Sequence, residues 1–165
     1  MEHYLRQGDR VAMVEYSGHP RYLRGAGGRI QLQTSMEWLL ATRATVDAGG
    51  QPTFGIDPHL VPSSALVVVL TPLLTSQSAG MIATLSRAGR VVLAVDTLGP
   101  IATRPMNGPG WIPLAHRLWR LERENTIGQL REVGVPVTAW GGAGSLDEVL
   151  RDMRRMADAP RIVLR

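Results

Sequence analysis

Cysteine is absent from the 165 residues. Disulfides, thiol catalysis and cysteine-ligated metals are thereby excluded. Lysine is absent too: all 18 basic residues are arginine, a bias we read as the codon usage of a GC-rich genome. Aromatic residues make up only 5% of the chain. The arginines are interspersed with 14 acidic residues and come at most two in a row, at Arg154-Arg155. A nucleic-acid footprint needs a clustered basic face with aromatics between, so no nucleic-acid partner is expected despite the net charge of +4. The longest unbroken apolar run is Ala65 to Leu70, far short of the roughly 20 residues of a membrane helix. No basic stretch precedes an apolar run at the N-terminus, and a cytoplasmic chain without a membrane segment is expected.

What is present fits a folded domain. Hydrophobic residues make up 44% and charged residues 19%, with 18 glycines and 11 prolines. At this length one domain spanning residues 1–165 is the expectation.

Strand and helix signals alternate. Arg10 to Tyr16 is rich in β-formers, Gly18-His19-Pro20 makes a turn, and Arg21 to Arg24 returns as a short edge strand. The cluster Gly25-Ala26-Gly27-Gly28 leads into a helix whose inward face is expected to be Leu32, Met36, Leu39 and Leu40, with Gln31, Gln33, Glu37 and Thr42 on the polar side. Residues 47–64 read as a loop. Ala65 to Thr71 is continuously apolar, the pattern of a strand buried on both faces. A helix capped by Thr75 or Ser76 runs to Arg87, with Met81, Ile82, Leu85 and Ala88 inward and Gly89 as its stop. Val91 to Val95 is a second apolar strand, ending at Asp96. Residues 97–113 read as a loop. Leu114 to Val133 is a long helix with an imperfect stripe: Leu114, Leu118 and Leu121 share one face while Ile127 and Leu130 lie nearly opposite. It should therefore break near Asn125–Gly128 or be buried on two sides. Val135 to Trp140 is a third strand, placed at an edge by Pro136. Ser145 and Glu148 form a capping box for a last helix with Leu146, Val149, Leu150 and Met153 on one face. Arg161 to Arg165 is a final strand or a tail. Strands alternating with helices predict an α/β fold: a mostly parallel sheet, helices on both faces in three layers, and a short antiparallel hairpin at its edge.

Several phrases carry a family resemblance. They are Gly8-Asp9-Arg10-Val11 opening a strand, Arg24-Gly25-Ala26-Gly27-Gly28-Arg29 before a helix, and Val68-Val69-Leu70-Thr71-Pro72-Leu73. Leu121-Glu122-Arg123-Glu124 and then Gly134-Val135-Pro136-Val137 with Trp140 complete the set. In this order, from about Gly8 to Leu150, the chain resembles the C-terminal half of the bacterial domain-of-unknown-function 58 family, related to von Willebrand factor A domains and associated with MoxR-type AAA ATPases. The resemblance implies a truncated von Willebrand A-like domain without its first strand and Asp-x-Ser-x-Ser motif, Met1 to Gln7 being the end of the helix after that strand. Full-length relatives are expected to be membrane-anchored. It implies a non-enzymatic protein-interaction module with a MoxR-like partner. A third metal ligand of that family would fall at Pro72, which has no ligating side chain, so no metal site and no cofactor are expected. The missing strand would lie between the strands at residues 10–16 and 65–71. These are expected to pair with each other or to drive self-association.

The residues also allow another reading. Gly25–Gly28 before a helix could cradle a phosphate, although no G-x-G-x-x-G is present, and a tight turn is the simpler reading of the cluster. Asp96 and Thr71 end strands where open α/β sheets place ligand groups; capping of the following loop is the simpler role. Together they outline the crevice of a small nucleotide- or sugar-phosphate-binding enzyme. His3, His19, His59 and His116 lack metal-ligand spacing, and Ser17, Ser63 and Ser64 sit in turns without a nucleophile elbow. Arg117, Arg120, Arg123 and Arg131, alternating with Glu122, Glu124 and Glu132, read as a solvated helix face or a docking surface for an acidic partner. Trp111, Trp119 and Trp140 read as core or rim residues.

Overall fold

Four consecutive apolar residues can be withdrawn from water on both sides only where a strand has neighbours on both edges and cover on both faces. Val92 to Val95 meets that condition. A computed structural model describes residues 1–15, 21–42, 56, 61–98, 108–142, 144, 146, 147, 149, 150 and 153. It places this segment in the central strand of a parallel sheet. The chain divides into two compact units, Met1–Ile56 and Asp57–Arg165. The fold is α/β, with a two-stranded antiparallel sheet in the first unit and a three-stranded parallel sheet in the second.

The first unit comprises α1 (Glu2–Arg6), β1 (Val11–Val14), β2 (Tyr22–Ala26) and α2 (Gly28–Leu40). β1 and β2 pair antiparallel, Val11 with Ala26 and Val14 with Tyr22, with a register shift between Val11 and Met13. The predicted turn at Gly18-His19-Pro20 lies outside the described residues. α2 reverses the expected orientation. Gln31 and Ser35 are buried, whereas Met36, Leu39 and Leu40 are exposed. The reason is hydrogen bonding. The Gln31 amide donates to the Val11 carbonyl at 2.7 Å and the Arg24 carbonyl at 3.1 Å, satisfying backbone acceptors of both strands. The small Ser35 side chain, fully buried, lies one turn further along the same face. Arg21 fastens the other end. It pairs with Glu15 at 3.1 Å, stacks 4.7 Å from the Trp38 ring centroid, and donates to the Trp38 and Ala41 carbonyls at the C-terminus of α2, where a cation is favoured.

The second unit runs β3 (Leu66–Thr71), α3 (Ser76–Arg87), β4 (Val91–Asp96), α4 (Trp111–Glu132) and β5 (Val137–Ala139), with strand order β3-β4-β5, all parallel. Thr75 caps α3, its hydroxyl accepting from the Ser78 amide at 3.3 Å. Met81, Ile82 and Leu85 face inward as expected, with Ala83 rather than Ala88 completing the set. Gly89 ends the helix at φ +77°. Among the described residues β5 lies at an edge, as expected, but Pro136 is not the reason: it precedes the strand and its carbonyl accepts from the Ala94 amide at 3.0 Å, so the donor it lacks is on the β4 side. Leu93 and Val95 point to one face of the sheet and cluster with Leu146 and Met153. Ala94 and Asp96, alternating with them, point to the other. Ser145, Glu148 and residues 161–165 lie outside the described residues.

Two further expectations fail in the second unit. β3 is not buried on both faces: Val68 is 39% and Leu70 61% exposed, because β3 is the outer strand of its sheet and the Leu146–Met153 cluster reaches it only at Leu66. α4 neither breaks at Gly128 nor buries two sides. It begins at Trp111, with Pro113 in its first turn, where a missing N–H costs nothing, and continues unbroken to Glu132. Leu114, Leu118 and Leu121 are exposed on it.

Candidate functional site

The C-terminal ends of parallel strands gather polar groups because the loops there leave backbone donors unpaired. Thr71 and Asp96 are register partners at the ends of β3 and β4, and both are buried. They perform the same local task. The Thr71 hydroxyl accepts from the Leu73 amide at 3.1 Å, and the Asp96 carboxylate accepts from the Leu98 amide at 3.0 Å. Each side chain thus closes a turn onto the residue two positions later. The first turn holds Leu73 at φ 51°, a left-handed conformation costing about 1–2 kcal/mol for a residue with a Cβ. Withdrawal of the Leu73 side chain, 3% exposed, offsets that cost by about 1.5–3 kcal/mol.

Arg123 joins the two turns. Its Nη2 donates to Asp96 Oδ1 in a short ion pair and to the Pro72 carbonyl at 3.4 Å, while its buried Nε has no hydrogen-bond partner among the described residues. This corrects the reading of Arg123 as part of a solvated or docking face; the guanidinium is the inner clamp of the sheet end. A real pattern lay in the sequence. Ile112, His116, Trp119, Arg123, Ile127 and Leu130 recur at helical spacing and are buried or half-buried throughout. Classing arginine and histidine as polar conceals it. Arg120 does lie at the surface of α4, paired with Glu124 at 3.3 Å, a contact of small energetic weight.

Of the three parts of the expected crevice, the structure brings together Thr71 and Asp96. Gly25–Gly28 belongs to the other unit. Gly25 and Ala26 are residues of β2 rather than of a loop, Gly27 is extended, and Gly28 alone takes positive φ, at +80°. The Thr71 hydroxyl accepts from a backbone amide, and Asp96 Oδ1 accepts from a backbone amide and from Arg123. The residues also do not suit the metal of the resembled fold. A cation at Asp96 would have to displace a buried guanidinium, and Pro72 supplies a carbonyl that Arg123 already engages. Among the described residues no three His, Cys, Asp or Glu side chains converge.

The remaining candidates stand apart. His3 packs edge-on against Tyr4, and His116 lies 5.5 Å from Trp119. Ser63 and Ser64 form an exposed turn before β3, while His19, His59 and Ser17 lie outside the described residues. Trp119 is half-buried, Trp140 is a rim residue whose amide donates to the Asp96 carbonyl at 2.9 Å, and Trp111 is exposed. No helix among the described residues is long and apolar enough to cross a membrane. Set against family models, curated proteins and solved structures, the chain matches none.

Proposed function

We propose that this chain is a non-enzymatic protein-interaction module of the von Willebrand factor A-like, domain-of-unknown-function 58 type, working in the cytoplasm with a MoxR-type AAA ATPase. The observation that carries this reading is the outer face of α4. Trp111, Leu114, Leu118 and Leu121 stand 53–70% exposed in one stripe on the side of the helix opposite Arg123 and Leu130. A single exposed leucine is ordinary, but an apolar stripe along one helix is the kind of patch that marks an interaction site. The family and the partner rest on the ordered phrases from Gly8 to Trp140.

An enzyme of the nucleotide- or sugar-phosphate-binding class draws less support, because the side chains of Thr71 and Asp96 are committed to turns and to Arg123.

Binding to a purified MoxR-type ATPase tests the proposal. Wild-type chain should bind with a Kd below ~10 μM, and Leu114→Glu/Leu118→Glu should weaken binding at least tenfold without moving the unfolding midpoint. No binding at ~100 μM, or binding indifferent to these substitutions, overturns it. Stabilisation by a nucleotide of about 2.7 kcal/mol at 100-fold over its Kd would favour the enzyme instead.

A further inference from the structure

The two edges of the parallel sheet are built differently. β5 has only three residues, a shortness that keeps an edge from pairing with another chain. β3 is twice that length. Its six residues, Leu-Val-Val-Val-Leu-Thr, carry no charge and no proline, and they run beside β4 in unbroken register from Leu66–Val91 to Thr71–Asp96. Among the described residues β3 pairs with β4 alone.

The direction of its peptide groups is fixed by one bond. The Thr97 amide donates to the Thr71 carbonyl at 3.0 Å, so the backbone groups of Thr71 point at β4. Backbone groups alternate along a strand, so those of Val69 and Val67 do the same. The N–H and C=O groups of Leu66, Val68 and Leu70 point the other way, to an edge where no strand among the described residues pairs with them. The side chains of these same three residues share the face on which Val68 and Leu70 are exposed.

We propose that this edge pairs with the same edge of a second copy, antiparallel, about a two-fold axis through Val68. The arrangement is self-complementary. Val68 faces Val68, and Leu66 faces Leu70 at both ends. All three outward peptide groups on each copy find partners, giving about six backbone hydrogen bonds. The paired side chains lie on one face, so the exposed valines and leucines of the two copies form one apolar strip, and two three-stranded sheets become one of six strands. No charge opposes a like charge across the join. The result is an isologous, closed dimer. It does not depend on the partner reading above, because α4 takes no part in it.

The full-length chain tests this by sedimentation and cross-linking. The wild type should sediment as a dimer at ~10 μM, and Val68→Lys, a charge placed on the edge, should yield a monomer that still unfolds cooperatively. Because the native chain has no cysteine, single substitutions read the register directly. Directly opposed residues of a hydrogen-bonded pair sit about 5.5 Å apart between Cα atoms, too wide between Cβ atoms for an unstrained disulfide but within the span of a short bis-maleimide. Val68→Cys should therefore cross-link to itself with that reagent. Leu66→Cys mixed with Leu70→Cys should give the mixed dimer in preference to either homodimer. If Val68→Lys fails to fold, the cysteine variants still decide. A wild-type monomer at ~100 μM overturns the proposal, as does a dimer in which Val68→Cys does not cross-link. Slow amide exchange at Leu66, Val68 and Leu70 in a monomer would mean that another segment of the same chain covers the edge, and would overturn it equally.

Discussion

Arg123 and Asp96 form an ion pair at the end of β4 with side chains only 8% and 7% exposed. A pair this deep contributes through what its loss would leave behind. Arg123→Met should strand a buried carboxylate and the Pro72 carbonyl, lowering stability by about 3–5 kcal/mol. Adding Asp96→Asn should recover part of that loss, since the stranded charge disappears. Urea denaturation of the two single variants and the double variant measures the coupling. A loss below about 1 kcal/mol for Arg123→Met would show that the pair does not hold the turns together.

Gln31 poses the same question without charge. Its amide serves a carbonyl on each strand of the β1–β2 hairpin. Gln31→Leu keeps the bulk and removes the donor, and should cost about 1–3 kcal/mol. Exchange of the hairpin amides should quicken in step with the loss of stability.

The glycine cluster separates two explanations position by position. At Gly28, φ is +80°, and Gly28→Ala should destabilise by about 1–2 kcal/mol. At Gly25, a Cβ would meet the Ala12 Cβ at 3.5 Å, an ordinary contact. Gly25→Ala should be neutral or stabilising by up to about 1 kcal/mol. Equal costs at both positions would contradict the assignment of Gly25 to a strand. Thermal unfolding of the two variants gives the comparison.

α4 predicts opposite responses from residues of one type. Leu130 is buried at 2% exposure, so Leu130→Ala should cost about 2–5 kcal/mol. Leu118→Glu, on the outer stripe, should stay within about 0.5 kcal/mol of wild type. A large loss at Leu118 would mean that the stripe is already covered within the chain.

The apolar run Val91–Val95, the Thr75 cap and the Gly89 stop were legible because each follows from local chemistry: a strand with no polar face, a hydroxyl before a helix, a residue free to take positive φ. Thr71 and Asp96 were legible as strand ends, and their capping role as the simpler of two. Arg123 was not. Which polar residue a helix turns inward depends on an acceptor supplied 27 residues away, and hydropathy alone carries no record of it. Gln31 escaped for the same reason, since its amide follows the carbonyls of β1 and β2; Ser35 is carried inward one turn further on, its hydroxyl making no hydrogen bond among the described residues.

The sequence by itself determined which segments become strands and helices in the second unit, and that their alternation yields an α/β sheet, because backbone propensity and apolar periodicity act over a few residues. Only the tertiary structure decided which faces α2 and α4 present and that β3 is left at an edge. It buried Arg123 and Gln31 beside distant acceptors, turned Leu118 and Leu121 outward, and left Val68 and Leu70 uncovered on β3. Burial is set by the partners that packing brings together, and a hydrogen bond or ion pair made there can outweigh the apolar preference of any single side chain.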